Sequence, residues 1–483
     1  MKYDTNNISA DQDSLFINWG KSKKTPEVRD SYDGRPGAIL AGCNTGMDTR
    51  KYERVMAELA GLAKACGLRV VSTLVQNAPQ VTHATYLGSG KVQELKNEVE
   101  LMDADIVLFN EALTPMQTRN LEKELDTEVL DRTGLILQIF ASRARTREAK
   151  LQVESARLQY MLPRLVGMRA SLSRQGGGSG RLSNKGAGEQ KLELDRRRIE
   201  HRIAELSREL EVVERERATQ RGRRLRAGLT RVSLVGYTNA GKSTVMNALL
   251  EYSARARSGK TAGSAGPGAI EGRLPDTAPD TAPDGKKVFQ ADMLFATLDT
   301  SVRCIEAPGS MPFLLTDTVG FVGDLPHSLV KAFRSTLDEV RYSDLLLEVV
   351  DFSDPDYREQ IEVTAKTLKE IGADRIPVVY LYNKTDLVEK DRPVPASIPS
   401  RRGDILYLAA GKGIGIPEIL TLIDDALDED RFTGDILIPY TKGGLLQKIR
   451  NCGVIFSEEY LAEGIRVRFR CRKEDAERFR LLQ

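Results

Sequence analysis

A chain of 483 residues is too long for one hydrophobic core and predicts about three domains. Charged residues make up 29% of it while the net charge is only +2, so overall basicity does not announce nucleic acid and any polyanion-binding surface must come from local clustering. The five cysteines have no paired spacing, the three histidines no metal spacing, and no apolar run approaches bilayer length, which excludes a disulfide framework, a zinc module and a spanning helix.

Residues 1–36 are polar, with little periodicity and no hydrophobic signal core, and read as a flexible tail. From Ala38 the pattern changes. Short apolar runs at Ala38–Ala41, Val70–Val75, Ile106–Phe109 and Val129–Leu130 alternate with helix-like stretches at 52–65, 91–101 and 115–125, which predicts a small parallel α/β domain over 37–134. Within it, Gly88-Ser89-Gly90-Lys91 reads as a helix start rather than an anion site.

A helical hairpin is expected over 135–227, with a helical pair packed into another domain's core as the alternative for the helices alone. Its first helix reads as continuous from Leu135 to Leu165, with Leu151, Leu158, Leu162 and Leu165 as an apolar stripe. The second, from Leu192 to about Arg217, carries Ile199, Ile203, Leu206, Leu210 and Val213 at alternating steps of four and three, a coiled-coil seam. The connection is glycine-dense and basic. Arg174, Gly176, Gly177, Gly178, Arg181 and Lys185 offer bare amides and cationic side chains to phosphates, so this loop is the candidate RNA contact, with a solvated tip as the alternative. A second basic cluster, Arg221, Arg223, Arg224 and Arg226, follows.

The next domain, 228–430, carries the chemistry. Gly236-Tyr237-Thr238-Asn239-Ala240-Gly241-Lys242-Ser243 sits between the apolar run Val232–Val235 and a helix-like run opening at Thr244, the context that makes a phosphate-binding P-loop. Its glycines let backbone amides face the phosphates. Lys242 neutralises the β/γ oxygens, the Ser243 hydroxyl is a Mg²⁺ ligand, and the helix N-terminus adds its partial positive charge. Asp317, closing an apolar strand before Thr318-Val319-Gly320, is the candidate Mg²⁺-ordering carboxylate, with the Gly320 N–H sensing the γ-phosphate. Thr297 is the candidate for the first switch, gripping Mg²⁺ and the γ-phosphate. Asn383-Lys384-Thr385-Asp386 follows the strand-like run Val378–Tyr382. A carboxylate there accepts from guanine N1–H and its exocyclic amine, while Asn383 ties the loop to the P-loop and the Lys384 stem lies against the ring. Adenine would leave Asp386 desolvated and unpaired, so the base is guanine.

Two details qualify the chemistry. Phe321 stands where Ras-like GTPases place a water-orienting glutamine, which predicts slow intrinsic turnover and a group supplied from elsewhere. Asn239 suits either a K⁺ site or a plain turn. Residues 258–287, with tandem Asp-Thr-Ala-Pro, read as a disordered insertion before the first switch. The last unit, 431–483, reads as a small α+β domain whose run Ile465–Arg470 places arginines on one strand face, toward RNA or an acidic partner.

The motifs Tyr86-Leu87-Gly88-Ser89-Gly90-Lys91, Asp131-Arg132-Thr133-Gly134-Leu135-Ile136-Leu137, Leu162-Pro163-Arg164-Leu165, the glycine-rich loop running into Glu193-Leu194-Asp195-Arg196-Arg197, and Gly236-Tyr237-Thr238-Asn239-Ala240 resemble those of the HflX family of ribosome-associated, ribosome-splitting GTPases. The resemblance implies that the N-terminal unit and hairpin bind the large ribosomal subunit and its rRNA, that the glycine loop reaches toward the peptidyl-transferase region, and that the subunit stimulates hydrolysis of GTP. It also implies that the family's Ser-Ala guanine-supporting motif stands here as Ala409-Ala410, a hydroxyl lost and a backbone N–H kept for guanine O6. A cytoplasmic monomer is expected, with peripheral membrane attachment left open. An assembly or RNA-remodelling factor and a nucleotide-gated protein adaptor are the other readings. The expected fold class is α/β: a P-loop GTPase domain preceded by a small parallel α/β domain and a helical hairpin, and followed by the small α+β domain.

Overall fold

A computed structural model of the chain describes residues 34–174, 185–226, 229–257, 295, 301–307, 310–323, 339–388, 395, 397–427, 431–442, 444–473 and 476–477. Two compact units divide it: Met1–Ala144 with Lys150–Glu209, and Arg145–Ala149 with Leu210–Gln483.

In the first unit, β1 (Gly37–Asn44), β2 (Arg69–Asn77), β3 (Ile106–Phe109) and β4 (Glu128–Asp131) form a parallel sheet in the order β2-β1-β3-β4. Strands β1 and β3 are buried along their whole length, which is why they read as unbroken apolar runs rather than alternating ones. The crossover helices are α1 (Thr49–Ala65), α2 (Ser89–Leu101) and α3 (Pro115–Leu125). Each start has a local cause: the Asp48 side chain caps α1, and Thr114 and Gln117 form a capping box ahead of Pro115 in α3. At α2, the Gly88 N–H donates to Gln76 Oε1 at 2.9 Å, so the Gly-Ser-Gly-Lys start is satisfied within the protein.

The first hairpin helix is not continuous. Helix α4 (Arg132–Arg143) begins before the expected domain boundary at 134, and Ala144 turns to an extended conformation before α5 (Arg147–Arg174) starts. The physical reason is capping. Asp131 accepts from Gly134 N–H at the start of α4, and Thr146 Oγ1 accepts from Ala149 N–H at the start of α5. The buried Asp131 carboxylate also accepts from Leu113 N–H (3.1 Å), Tyr160 Oη (2.7 Å) and Arg164 Nη2 (2.7 Å), so one residue fastens α4 and α5 to the end of the sheet. That is the structural work of the Asp-Arg-Thr-Gly and Leu-Pro-Arg-Leu segments.

Helix α6 (Lys185–Arg226) extends beyond its expected limits at both ends. Ile199 and Leu206 of the expected seam are buried, as are Leu151 and Leu158 of α5, and Arg202 clasps Glu154 through two hydrogen bonds of 2.8 and 3.2 Å. Helix α5 ends at Arg174 and α6 begins at Lys185, the two ends of the basic connection; Gly176, Gly177, Gly178 and Arg181 lie outside the described residues.

The second unit holds a seven-stranded sheet: β5 (Thr230–Val235), β6 (Ser301–Ile305), β7 (Phe313–Asp317), β8 (Leu345–Asp351), β9 (Val378–Asn383), β10 (Ser400–Arg402) and β11 (Ile405–Tyr407), in the order β10-β11-β9-β8-β5-β7-β6. Only the edge strands β6 and β10 run antiparallel. Helices α7 (Lys242–Arg257), α8 (Tyr357–Ile371) and α9 (Ile416–Ala426) accompany it, with Leu234, Leu315, Leu347 and Leu422 in one apolar cluster and Val235, Leu346 and Leu368 in another. The expected insertion at 258–287 lies outside the described residues.

One carboxylate interrupts this core. Glu348 in β8 is buried, and desolvation pushes it up to about 8, against a smaller downward pull from its hydrogen bond with Thr364. A carboxyl raised in the folded state contributes its full stability below the unfolded value of 4.5 and loses it as pH rises through about 8. Glu348→Gln, which cannot ionise, is therefore expected to gain on the parent by roughly 4 kcal/mol between pH 5 and pH 8.5. Denaturant melts at the two pH values check this; a parallel pH dependence in both proteins refutes it.

The last sheet is antiparallel: β12 (Arg431–Ile438), β13 (Gly453–Leu461) and β14 (Gly464–Arg472), in the order β12-β14-β13, with α10 (Gly444–Cys452) adding Leu446 and Ile449 to a core of Ile438, Ile465, Val467, Phe469 and Cys471. Among the described residues no helix is long and apolar enough to cross a membrane.

Candidate nucleotide site

The P-loop joins β5 to α7 along a path fixed by glycine. Gly236 has φ of +133°, and a Cβ there would strike the Val349 carbonyl oxygen of the neighbouring strand. No side chain fits either restriction. Lys242, buried at the first turn of α7, folds back so that Nζ donates to the carbonyls of Gly236 (3.0 Å) and Tyr237 (2.8 Å). Burial pushes its ammonium down to about 8, opposed by the nearby Asp317 carboxylate. Asn239 is exposed, in the left-handed region at φ +62°.

Asp317 ends β7, paired in register with Leu234 at the end of β5, and is fully buried. Ser243 Oγ donates to its Oδ2 at 2.8 Å. A hydroxyl and a carboxylate meeting beside the P-loop form the oxygen-only donor set that Mg²⁺ prefers, so the residues fit that ion. Among the described residues there is no cluster of three or more His, Cys, Asp or Glu suited to an all-protein metal cage. Thr297, the expected third Mg²⁺ contact, lies outside the described residues.

The segment 320–323 is stitched directly to the P-loop. Thr238 N–H donates to the Phe321 carbonyl (2.7 Å), Phe321 N–H donates to the Gly236 carbonyl (3.1 Å), and Gly323 N–H donates to Tyr237 Oη (2.6 Å). A Cβ on Gly320 would come within 2.9 Å of Lys242 Nζ, so its backbone lies against the Lys242 ammonium. The Phe321 ring is buried with Val235, Val340, Leu346 and Leu368. The position contributes backbone to the site and side chain to the core.

On the base side, the buried Asn383 bridges two loops. Its Nδ2 donates to the Ala240 carbonyl and its Oδ1 accepts from Ala410 N–H, both at 3.0 Å. The tie to the P-loop is as expected. A backbone N–H of the Ala409-Ala410 pair is expected at guanine O6; here the Ala410 N–H is engaged by Asn383 and the Ala409 N–H by the Ile414 carbonyl at 3.2 Å. Lys384, at φ +58°, extends its stem to an ion pair with Asp351 Oδ2 at 2.7 Å. Asp386 is paired with Lys412 at 3.0 Å. Asp351 and Lys412 escaped the reading of the sequence; the only available signals were a carboxylate at a strand end and a lysine in a glycine-rich turn. Asn383→Ala would strand two buried backbone groups, at about 2–4 kcal/mol. A lower melting temperature together with weaker GTP binding is the expected result, checked by thermal melts and titration calorimetry.

Lys242, Ser243, Asp317 and Gly320 thus meet at one end of the parallel sheet, and Asn383 links them to Lys384, Asp386, Ala409 and Ala410. That fold and that pair of loops define a P-loop GTPase. The chain matches the families described as "GTP-binding GTPase N-terminal" over 53–141, "GTP-binding GTPase Middle Region" over 143–224, and "50S ribosome-binding GTPase" over 231–265 and 284–384. The gap in the third match falls within the insertion read from the sequence. Among its relatives, GTPase HflX of Caldanaerobacter subterraneus subsp. tengcongensis is 40% identical over 428 residues, covering 89% of this chain and 90% of that protein. GTPase HflX of Escherichia coli is 35% identical over 429 residues, covering 89% and 92%. A GTP-binding protein from Sulfolobus solfataricus, solved in complex with GDP, aligns at 22% identity and a TM-score of 0.41 over 82% of this chain and 99% of that one. The chain belongs to the HflX family of GTPases and is a GTP hydrolase.

Proposed function

We propose that this GTPase binds the large ribosomal subunit in its GTP state, promotes separation of the subunits under stress, and is released when GTP is hydrolysed. The observation that carries this reading is the match of the nucleotide domain to a family described as a 50S ribosome-binding GTPase, in a chain that also carries two helices flanking a basic, glycine-rich connection. Arg174, Gly176, Gly177, Gly178, Arg181 and Lys185 would follow rRNA phosphates, a contact whose affinity falls steeply with salt.

In the cycle, Lys242 and the P-loop amides hold the β/γ phosphates, and Ser243, Thr297 and Asp317 would hold Mg²⁺, whose charge would offset that developing on the transferred group. Gly320 N–H and Thr297 sense the γ-phosphate and relax after its loss. The Phe321 ring cannot orient the attacking water, so turnover is slow until the large subunit supplies or repositions the missing group. Asn239 would hold K⁺ beside the phosphates, a role that faster hydrolysis in KCl than in NaCl would support and equal rates would remove.

Intact ribosomes incubated with GTP-loaded protein and resolved on a gradient test the proposal. Release of free subunits is the expected result. Binding confined to immature particles would replace it with an assembly role, and salt-insensitive binding to a non-ribosomal protein would replace it with an adaptor role.

A further inference from the structure

The C-terminal sheet has one face filled and one face open. Ile465, Val467, Phe469 and Cys471 of β14 point into the core completed by α10, while Arg466 and Arg468 are exposed and Arg470 is half-buried on the opposite side. Because β14 is the central strand, these side chains form a ridge along the middle of the open face. Alternate residues on a strand stand about 7 Å apart. That step is in the range of successive phosphates along an extended single strand.

The acidic groups on this face gather toward one end. Asp435 bonds Arg466 at 3.2 Å and lies opposite Arg468 in register, and Glu459 lies opposite Arg466. Toward the other end the neighbours are hydroxyls and an aromatic ring: Arg470 bonds Thr433 Oγ1 at 3.3 Å and holds its guanidinium 5.5 Å from the Phe456 ring centroid. Phe456 is the residue added by an irregularity in β13, between Ile455 and Ser457, and is 43% exposed. An exposed ring at a bulge, beside the Arg470 guanidinium, offers no enclosed apolar core of the kind a stable protein interface uses. It does offer a surface on which unpaired bases stack while arginines meet phosphates.

We infer that the open face of the C-terminal sheet is a single-stranded RNA-binding surface, with Arg468 and Arg470 on the backbone and Phe456 stacked against a base. This goes beyond the ribosome-splitting reading and does not rest on it, because the probe below is a bare oligonucleotide; either can fail without the other.

The test uses the full chain, so that the basic connection at 174–185 remains present as an internal competitor, and a mixed-sequence single-stranded RNA of about ten nucleotides carrying 4-thiouridine and a fluorophore. Photo-crosslinked peptides are expected to include those spanning 453–472. Arg468→Gln with Arg470→Gln should weaken binding at this surface about tenfold or more, and lower the slope of log affinity against log salt by about 1.4, the value for two lost phosphate contacts on a single strand. Phe456→Ala should weaken binding about tenfold with the salt slope unchanged. Melts of each variant identify any that unfold, in which case the wild-type crosslink map decides alone. Crosslinks confined to other parts of the chain, or wild-type affinity and crosslinking in the folded double variant, overturn the inference. So does arginine-dependent binding of polyglutamate where RNA does not bind, since the face would then serve an acidic protein.

Discussion

Lys242→Ala is expected to reduce GTP affinity and turnover by about 10²–10³-fold each, the scale of removing one preorganised cationic donor from a phosphate site. The lysine is buried and its ammonium already lies against the Gly236 and Tyr237 carbonyls, so its charge is held at the phosphate-facing loop before any nucleotide arrives. Little side-chain entropy remains to be lost on binding. The backbone of Gly320 packs beside Nζ, so truncation also removes what the segment proposed to sense the γ-phosphate rests against. Loss of the difference between GTP-bound and GDP-bound protein in protease protection should therefore accompany the loss of affinity. Calorimetry with GTP and with GDP, and single-turnover hydrolysis with and without large subunits, check both parts. Unchanged affinity would remove Lys242 from the site.

The nucleotide site was legible wherever the chemistry needs a residue type at a fixed local spacing. Gly236 is demanded by a φ and a clash that no side chain survives, and Ser243 and Lys242 by their place at the first turn of α7. Asn383 was read as a tie to the P-loop because it follows a buried strand, and it makes that tie. What escaped depends on contacts distant in sequence. Asp351 holds Lys384, and Lys412 holds Asp386, only because β8, β9 and the turn at Ala410–Lys412 are brought side by side by the sheet. The break between α4 and α5 was missed for a different reason. Good helix formers, Ala144, Arg145, Arg147 and Glu148, continue through it with no glycine or proline to mark a stop, and the cap supplied by Thr146 outweighs their propensity. Phe321 illustrates a half-legible case: its sequence position showed which catalytic group is absent, but only packing shows that the ring is committed to the core. The C-terminal strand Ile465–Arg470 alternates cleanly and was assigned with its arginines on one face. Its central place, between β12 and β13, was not in the pattern, and that place makes the arginines a ridge rather than an edge.

Asp386→Asn should exchange the base preference of the pocket. A carboxylate at this position would accept from two guanine N–H groups, whereas an amide in its place presents one acceptor and one donor; xanthine, with a carbonyl where guanine has its exocyclic amine, fits that pair. GTP affinity is expected to fall by roughly 10²-fold or more and xanthosine triphosphate affinity to rise, since a desolvated polar mismatch costs about 1–3 kcal/mol per group and a polar site rejects a partner that leaves its groups unpaired. Lys412 sharpens this expectation. In the folded protein its ammonium pairs with Asp386, so guanine must share or displace that ion pair, and the pair, being more than half exposed on the lysine side, gives way easily. Lys412→Ala should accordingly alter GTP affinity only a few-fold and leave the guanine preference intact, while Asp386→Asn reverses it. Titrations of both variants with GTP, ATP and xanthosine triphosphate separate the two roles. A reversal caused by Lys412→Ala, or its absence in Asp386→Asn, would mean that the base is read by backbone groups of the turn at Ala410–Lys412 rather than by the carboxylate.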